Sequence, residues 1–405
     1  MRVTLWKLIA VVAVLGLIGA GAVVFGGLYN VSARKGHFPG VSWVLHTTFR
    51  NSVALRAPSP DDTPDLDDPA LIALGAGHYA TACATCHAAP GTARTATMRA
   101  MVPVPPPIAE AASDWSAEEL WWIVFNGVKM SGMPGWPADR GDEVWAVVAW
   151  LEALNEDRAP ALPDPALPDP ATLTAQAGDE AADEAAAGDA IAYCETCHGP
   201  IARHVPTLGL QSEAYLLKAL TDYRAGTRAS GIMQQAATVV PENALPELAA
   251  HFADEDLPAP DPADWQDADL ELGEELARNG DDDVPACTAC HGPDATRTAG
   301  SPAGFPVLTG QDRDYLRAQL KVWRDGKRGG TGRAEVMTAA AQDLTDAEID
   351  AISAWYAALP PASDAEAETE TEAEAEAEAE ANTPPPAPDT TPTPAPELDA
   401  DADAE

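Results

Sequence analysis

Three pentapeptides restrict this chain more than anything else in it: Cys83-Ala-Thr-Cys86-His87, Cys194-Glu-Thr-Cys197-His198 and Cys287-Thr-Ala-Cys290-His291. They share the frame Cys-x-x-Cys-His and use all six cysteines of the 405 residues. That frame is the attachment motif for haem. Two thiols add across the two vinyl groups on one edge of the porphyrin, and two intervening residues let both sulfurs reach that edge. The adjacent histidine is then carried beneath the ring, where its imidazole can bind iron. Covalent attachment also keeps the cofactor on a domain too small to bury it completely. The reading is three covalently bound haem c groups, each with one iron.

Other uses of paired cysteines fit less well. A redox-active Cys-x-x-Cys belongs near a βαβ pattern, which this chain lacks. Structural zinc wants four ligands, yet each pair stands alone in its own segment. Disulfides suit an extracellular chain, but three repeats ending in histidine are not a disulfide framework.

Haem iron takes a sixth ligand, and methionine is the usual one in electron-carrying c-type cytochromes. The segments around the second and third motifs hold one methionine each, Met233 and Met337. The first offers Met130 and Met133 in NGVKMSGMPGW. Gly132 and Pro134 favour an extended loop that presents Met133 to iron, so Met133 is taken as ligand, with Met130 packed nearby. Met98 and Met101 are read as core filler. Of the remaining histidines, His78 is expected at the surface and His251 at an interface. His204 lies only six residues past His198 and is poorly placed to cross to the opposite haem face.

The chain around these motifs is organised simply. Leu8 to Leu28 is 21 residues without a charge, enough to span a bilayer core of about 30 Å. Arg2 and Lys7 precede it and favour a cytoplasmic N-terminus. A cleaved signal with Ala20-Gly21-Ala22 as its site is the competing reading. The apolar run continues past that site, which favours an uncleaved anchor over 1–28. A juxtamembrane segment, 29–68, has Tyr29, Phe38 and Trp43 placed to meet the membrane surface.

Three mainly helical domains are expected at 69–158, 177–257 and 266–360, joined by Pro-rich linkers at 159–176 and 258–265. The last two are repeats: Pro206, Gln211, Tyr215 and Gly226-x-Arg228 align with Pro306, Gln311, Tyr315 and Gly326-x-Arg328. The end, 361–405, carries fifteen Asp and Glu and no Lys or Arg, and is expected to be a disordered acidic tail. The fold class is all-α: a transmembrane helix, three small helical domains and the tail. With 64 acidic and 24 basic side chains, a net −40, the chain repels the nucleic-acid backbone.

The three segments resemble class I cytochromes c. The matched features are the motif near each N-terminus, a distal methionine loop and packed terminal helices. Gly75, Tyr79 and Cys83 are similar to the Gly-x-x-x-aromatic-x-x-x-Cys helix of that class, and Trp145 to Leu154 to its partner helix. The pair over 177–360 looks like tandem diheme cytochromes of the c-four type, with CHG, Pro-x-Leu-x-x-Gln, Tyr-Leu and Gly-x-Arg. The resemblance implies that backbone carbonyls near Pro206 and Pro306 accept from the histidine Nδ1–H and orient the imidazole. It leaves Arg228 and Arg328 either neutralising haem propionates or standing in solvent.

Iron ligated by both His and Met has no open position for substrate. The chain is therefore expected to be a periplasmic electron carrier on the bacterial cytoplasmic membrane, not an enzyme. Its expected partners are a quinol-oxidising complex, a dehydrogenase or a terminal oxidase. One rival is the cytochrome subunit of a membrane-bound sugar or alcohol dehydrogenase that passes electrons to quinone. A haem catalyst such as a peroxidase would need one iron without its methionine, and a redox sensor would need a signalling domain that the sequence does not display.

Overall fold

Short polar residues before apolar runs start most of the helices. Asp68 caps α3 (Pro69–His78), its side chain accepting from Ala70 N, with Pro69 in the first turn, where a missing N–H costs nothing. In sequence order, α1 is Leu5–Gly26 and α2 is Val41–Arg56. After α3 come α4 (Ala117–Asn126) and α5 (Gly141–Asn155), then α6 (Glu180–His198). The remainder are α7 (Glu213–Arg224), α8 (Gly231–Val239), α9 (Leu245–Ala253), α10 (Leu270–Asn279), α11 (Arg313–Arg324), α12 (Ala334–Ala341) and α13 (Asp346–Ala358). Full capping boxes open α4 (Ser116 with Glu119) and α13 (Thr345 with Glu348). The fold is all-α; among the described residues the one β-bridge joins Arg228 to Gly329.

The computed structural model describes residues 5–163, 180–199, 201, 203–255, 257, 265–292 and 305–360, with side chains from 187 onward in α6. The linkers expected at 159–176 and 258–265, beyond 159–163 and 265, and the tail expected at 361–405 lie outside these residues. Residues Met1–Pro361 form one compact unit.

Helix α1 is 22 residues long, its most apolar 18-residue stretch has a mean hydropathy of 2.8, and none of its residues is buried, so it is long and apolar enough to cross a membrane. Helix α2 is tied to the first helical segment. Val53 is fully buried, Phe49 meets Trp115 edge-on at 5.4 Å, and the Arg50 guanidinium lies 4.4 Å over the same indole.

Three hydrophobic clusters form the interior. The first joins α3, α4 and α5 around Tyr79 and Trp150, whose rings stack at 4.4 Å. The second joins α6, α7 and α9 around Tyr193, Leu248 and Phe252. The third joins α10, α11 and α13 around Ile349, Ile352 and Tyr356. In the first and third, a glycine allows two helices to cross. A Cβ on Gly75 would stand 1.9 Å from the Ala146 carbonyl oxygen, and one on Gly273 would stand 2.2 Å from that of Ala351. Neither crossing admits any side chain.

A fourth, smaller cluster lies between segments: Leu74 and Ala146 from the first meet Ile201 and Val205 from the second. One residue near it departs from expectation. His78 is buried, its ring 4.8 Å from that of Trp136. Burial holds its imidazole down to about 4, neutral near pH 7. In place of the expected surface, His78 packs on Trp136 of its own segment and lines an internal cavity.

Candidate functional site

A cavity of about 580 Å³ runs between the second and third segments. Cys194, Cys197, His198 and Met233 line one part of it, and Cys287, Cys290, His291 and Met337 another. The residues expected to hold two haems thus converge on one internal space. Helices deliver them: Cys194, Cys197 and His198 form the last turn of α6. Ser230 caps α8 by accepting from Met233 N at 3.0 Å, which fixes where that methionine leaves the backbone. Met337 sits on α12 beside the third cluster.

Histidine geometry fits an axial ligand. His291 Nδ1 lies 2.9 Å from the Pro306 carbonyl oxygen, and His87 Nδ1 lies 3.0 Å from that of Pro106. A carbonyl only accepts, so the proton sits on Nδ1 and the Nε2 lone pair is left free for metal. The Pro306 contact is the one implied by resemblance. The Pro106 contact was missed, although the run Pro103 to Pro107 after the first motif, interrupted by Val104, signals a stiff return of the chain. The Pro206 carbonyl faces His198, but no hydrogen bond of ordinary geometry closes, and among the described residues Nδ1 has no partner. Burial also pulls the His198 imidazole down to about 4, keeping it neutral and able to ligate.

The thiols read the same way. Burial pushes those of Cys83 and Cys194 up to about 12, and those of Cys197 and Cys287 up to about 11. A redox-active dithiol needs the opposite, a thiol pKa lowered by nearby positive charge. Cys194, Cys197 and Cys287, protonated and facing the cavity, suit attachment to an apolar ring.

Two buried cations complete the fit. Arg228 and Arg328 are 7 % and 4 % exposed and both line the cavity. Arg228 lies 4.5 Å over the Tyr223 ring, and Arg328 is 5.6 Å from that of Trp323. Gln319 accepts from Arg328, while among the described residues Arg228 Nε has no partner. Among the described residues neither arginine has a carboxylate in ion-pair distance. A buried, unpaired cation is costly, so this pair suits an anionic ligand such as haem propionates. The solvated alternative does not hold. Replacing Arg228 with leucine is expected to lower the potential of a bound haem, since a nearby positive charge favours the reduced state. The shift is on the order of 60 mV, a tenfold change in a one-electron equilibrium, and spectroelectrochemical titration reads it.

Cys83, Cys86, His87 and Met133 lie outside this cavity. Cys83 packs on the first cluster, and Tyr79 Oη donates to the Ala88 carbonyl at 2.6 Å beside the motif. Met133 is half-buried, and its N–H donates to Ser131 Oγ at 3.1 Å. Met130 does not pack nearby: it is 93 % exposed, at a left-handed φ of 64° on the turn of the loop. Met101 leans on that loop instead, against Gly132. His251 faces Glu195 at 3.6 Å and Phe252, both within its own segment. His204 also lines the cavity, and its Nε2 lies 2.7 Å from Asp68 Oδ2.

Comparison with known proteins adds to this geometry. Residues 70–151 match the family described as cytochrome c oxidase, cbb3-type, subunit III, and residues 270–360 match the family described as cytochrome c. Cytochrome c4 of Azotobacter vinelandii is 38 % identical over 191 residues, 43 % of this chain and 89 % of that protein. A thiosulfate dehydrogenase electron acceptor of Stutzerimonas stutzeri is 34 % identical over 197 residues, 46 % of this chain and 88 % of that protein. The crystal structure of reduced cytochrome c4 from Pseudomonas stutzeri is 33 % identical, covering 44 % of this chain and 98 % of that one at a TM-score of 0.37.

Proposed function

Because the chain belongs to the class I c-type cytochromes, with relatives among the cytochromes c4, we propose that it is a membrane-anchored periplasmic carrier of three haems that passes single electrons between respiratory redox partners. Domains of this class hold covalently bound haem c and serve electron transfer. In this reading Cys83 with Cys86, Cys194 with Cys197 and Cys287 with Cys290 attach the haems. His87, His198 and His291 ligate iron on one side, and Met133, Met233 and Met337 on the other. Bound haem supplies an iron that alternates between two oxidation states. With both axial positions filled no substrate reaches the metal, so the chain carries electrons and does not catalyse. The three domains are 69–158, 177–257 and 266–360, and α1 anchors them in the cytoplasmic membrane with its N-terminus inside.

The observation that carries the reading is the shared cavity, where two complete Cys–Cys–His–Met sets meet beside the buried arginines. The protein's residues do the rest. Carbonyls orient imidazoles, apolar walls exclude water, and the cations balance negative charge. Pyridine haemochrome is expected to count three haems. The reduced protein is expected to leave its spectrum unchanged under carbon monoxide; a carbon monoxide adduct in the native protein would instead point to a haem catalyst. One relative is named as the electron acceptor of a dehydrogenase, which favours a second reading, an electron-accepting partner of a membrane dehydrogenase. Co-purification with a flavin or quinoprotein subunit would select it.

A further inference from the structure

The second site is not walled by its own segment alone. Leu74, His78, Thr81, Arg140, Glu143 and Ala146, all from the first segment, also line the cavity. The contact reaches the attachment motif itself: a Cβ on Gly77 would stand 2.9 Å from Cys197 Sγ. Thioethers form along one porphyrin edge, so what touches Cys197 Sγ stands at that edge.

The first segment is held there by specific bonds. Glu143 Oε2 accepts from Gly231 N at 2.7 Å and from Ile232 N at 3.4 Å, at the start of the helix that carries Met233. Arg140 Nη1 donates to the Ala229 carbonyl at 3.1 Å. Trp136 sits so close to Gly231 that a Cβ there would lie 2.0 Å from its Nε1. Farther out, Asp68 pairs with His204, and Arg203 reaches both Asp68 and Asp314, tying the three segments together. Arg140 is 4 % exposed, and Glu143 is its ion-pair partner at 3.4 Å. Charged groups buried in this way, paired with each other and bonded to the neighbouring backbone, mark a fixed interface.

We propose that the first segment is a permanent cover on the second haem site. It is docked through Gly77, Trp136, Arg140 and Glu143, and it keeps water and external redox proteins from the Cys197 edge. This rests on the function proposed above. It adds that external partners dock on the first or third domain, and that the second site communicates only within the chain.

The test uses the full-length, haem-loaded protein and a potentiometric titration resolving its components. Glu143→Ala removes the acceptor for Gly231 and Ile232 without touching Cys197; Gly77→Leu wedges the contact directly. Opening a haem edge to water favours the more highly charged oxidised iron and lowers its potential. Both variants are expected to shift the same one component of three downward by at least tenfold in its reduction equilibrium, about 59 mV for one electron. That component is identified as the one that also moves in Met233→Ala. Loss of the Glu143 charge without undocking would raise the potential. An upward shift, no shift, or a shift in the Gly77 variant alone overturns the cover. If Gly77→Leu does not mature, Glu143→Ala decides. A native protein with fewer than three haems would instead contradict the underlying function.

Discussion

Replacing Met233 with alanine is expected to lower the midpoint potential of one haem in three by on the order of 0.2 V, a fraction of the roughly 0.8 V over which axial ligands set haem potentials. The reduced variant is also expected to bind carbon monoxide, which the parent does not. Thioether sulfur favours the ferrous state, so its loss costs the reduced form most. The position is specific: Met233 lines the cavity with Cys194, Cys197 and His198, and Ser230 fixes its backbone by capping α8. It is also the one methionine between the second motif and the third. An unchanged titration, with no carbon monoxide adduct, would remove Met233 from the ligand set.

The second large effect is on stability. Gly273→Val is expected to destabilise the third segment by about 3 kcal/mol or more, the upper end of the range for overpacking a well-filled site. Valine would put its Cβ 2.2 Å from the Ala351 carbonyl oxygen and 2.8 Å from Trp355 Cβ. Both neighbours belong to α13, which is buried along most of its length, so neither can move away cheaply. For a segment of this size the loss corresponds to roughly 12–24 °C in Tm. Gly188 provides the contrast. It lies in α6, and a Cβ there meets nothing within 4 Å. Gly188→Ala is expected to stabilise by about 0.5–1 kcal/mol through helix propensity alone. Thermal melts of the two variants should therefore move in opposite directions. Equal, small shifts would mean that the crossing at Gly273 is not close-packed.

The haem motifs were legible because their chemistry is local. Two thiols and an imidazole within five residues state their purpose without any tertiary context. The apolar run at the N-terminus and the amphipathic helices were legible for the same reason, through length and spacing. What escaped the sequence depends on other segments. His78 reads as a surface residue on a short helix, yet it is buried against Trp136, some sixty residues on, at the wall of the cavity. Arg228 and Arg328 read as equally at home in water, yet the aromatic rings of Tyr223 and Trp323 and the fold of two repeats around one cavity bury them. Met130 was expected to pack beside Met133, but the left-handed turn at Met130 points it outward. The docking of the first segment on Cys197 has no local signature. Gly77 is one glycine among thirty, and only the sulfur facing it explains why no side chain is there.

Intact-mass spectrometry of the mature protein, denatured and extracted with acidified organic solvent, tests the central claim most directly. The account predicts a polypeptide carrying three haem groups that survive extraction, each held by one cysteine pair and lost from its peptide when that pair is changed to serine. A mature protein with the mass of the bare polypeptide, its six thiols free to react with an alkylating agent, would contradict it.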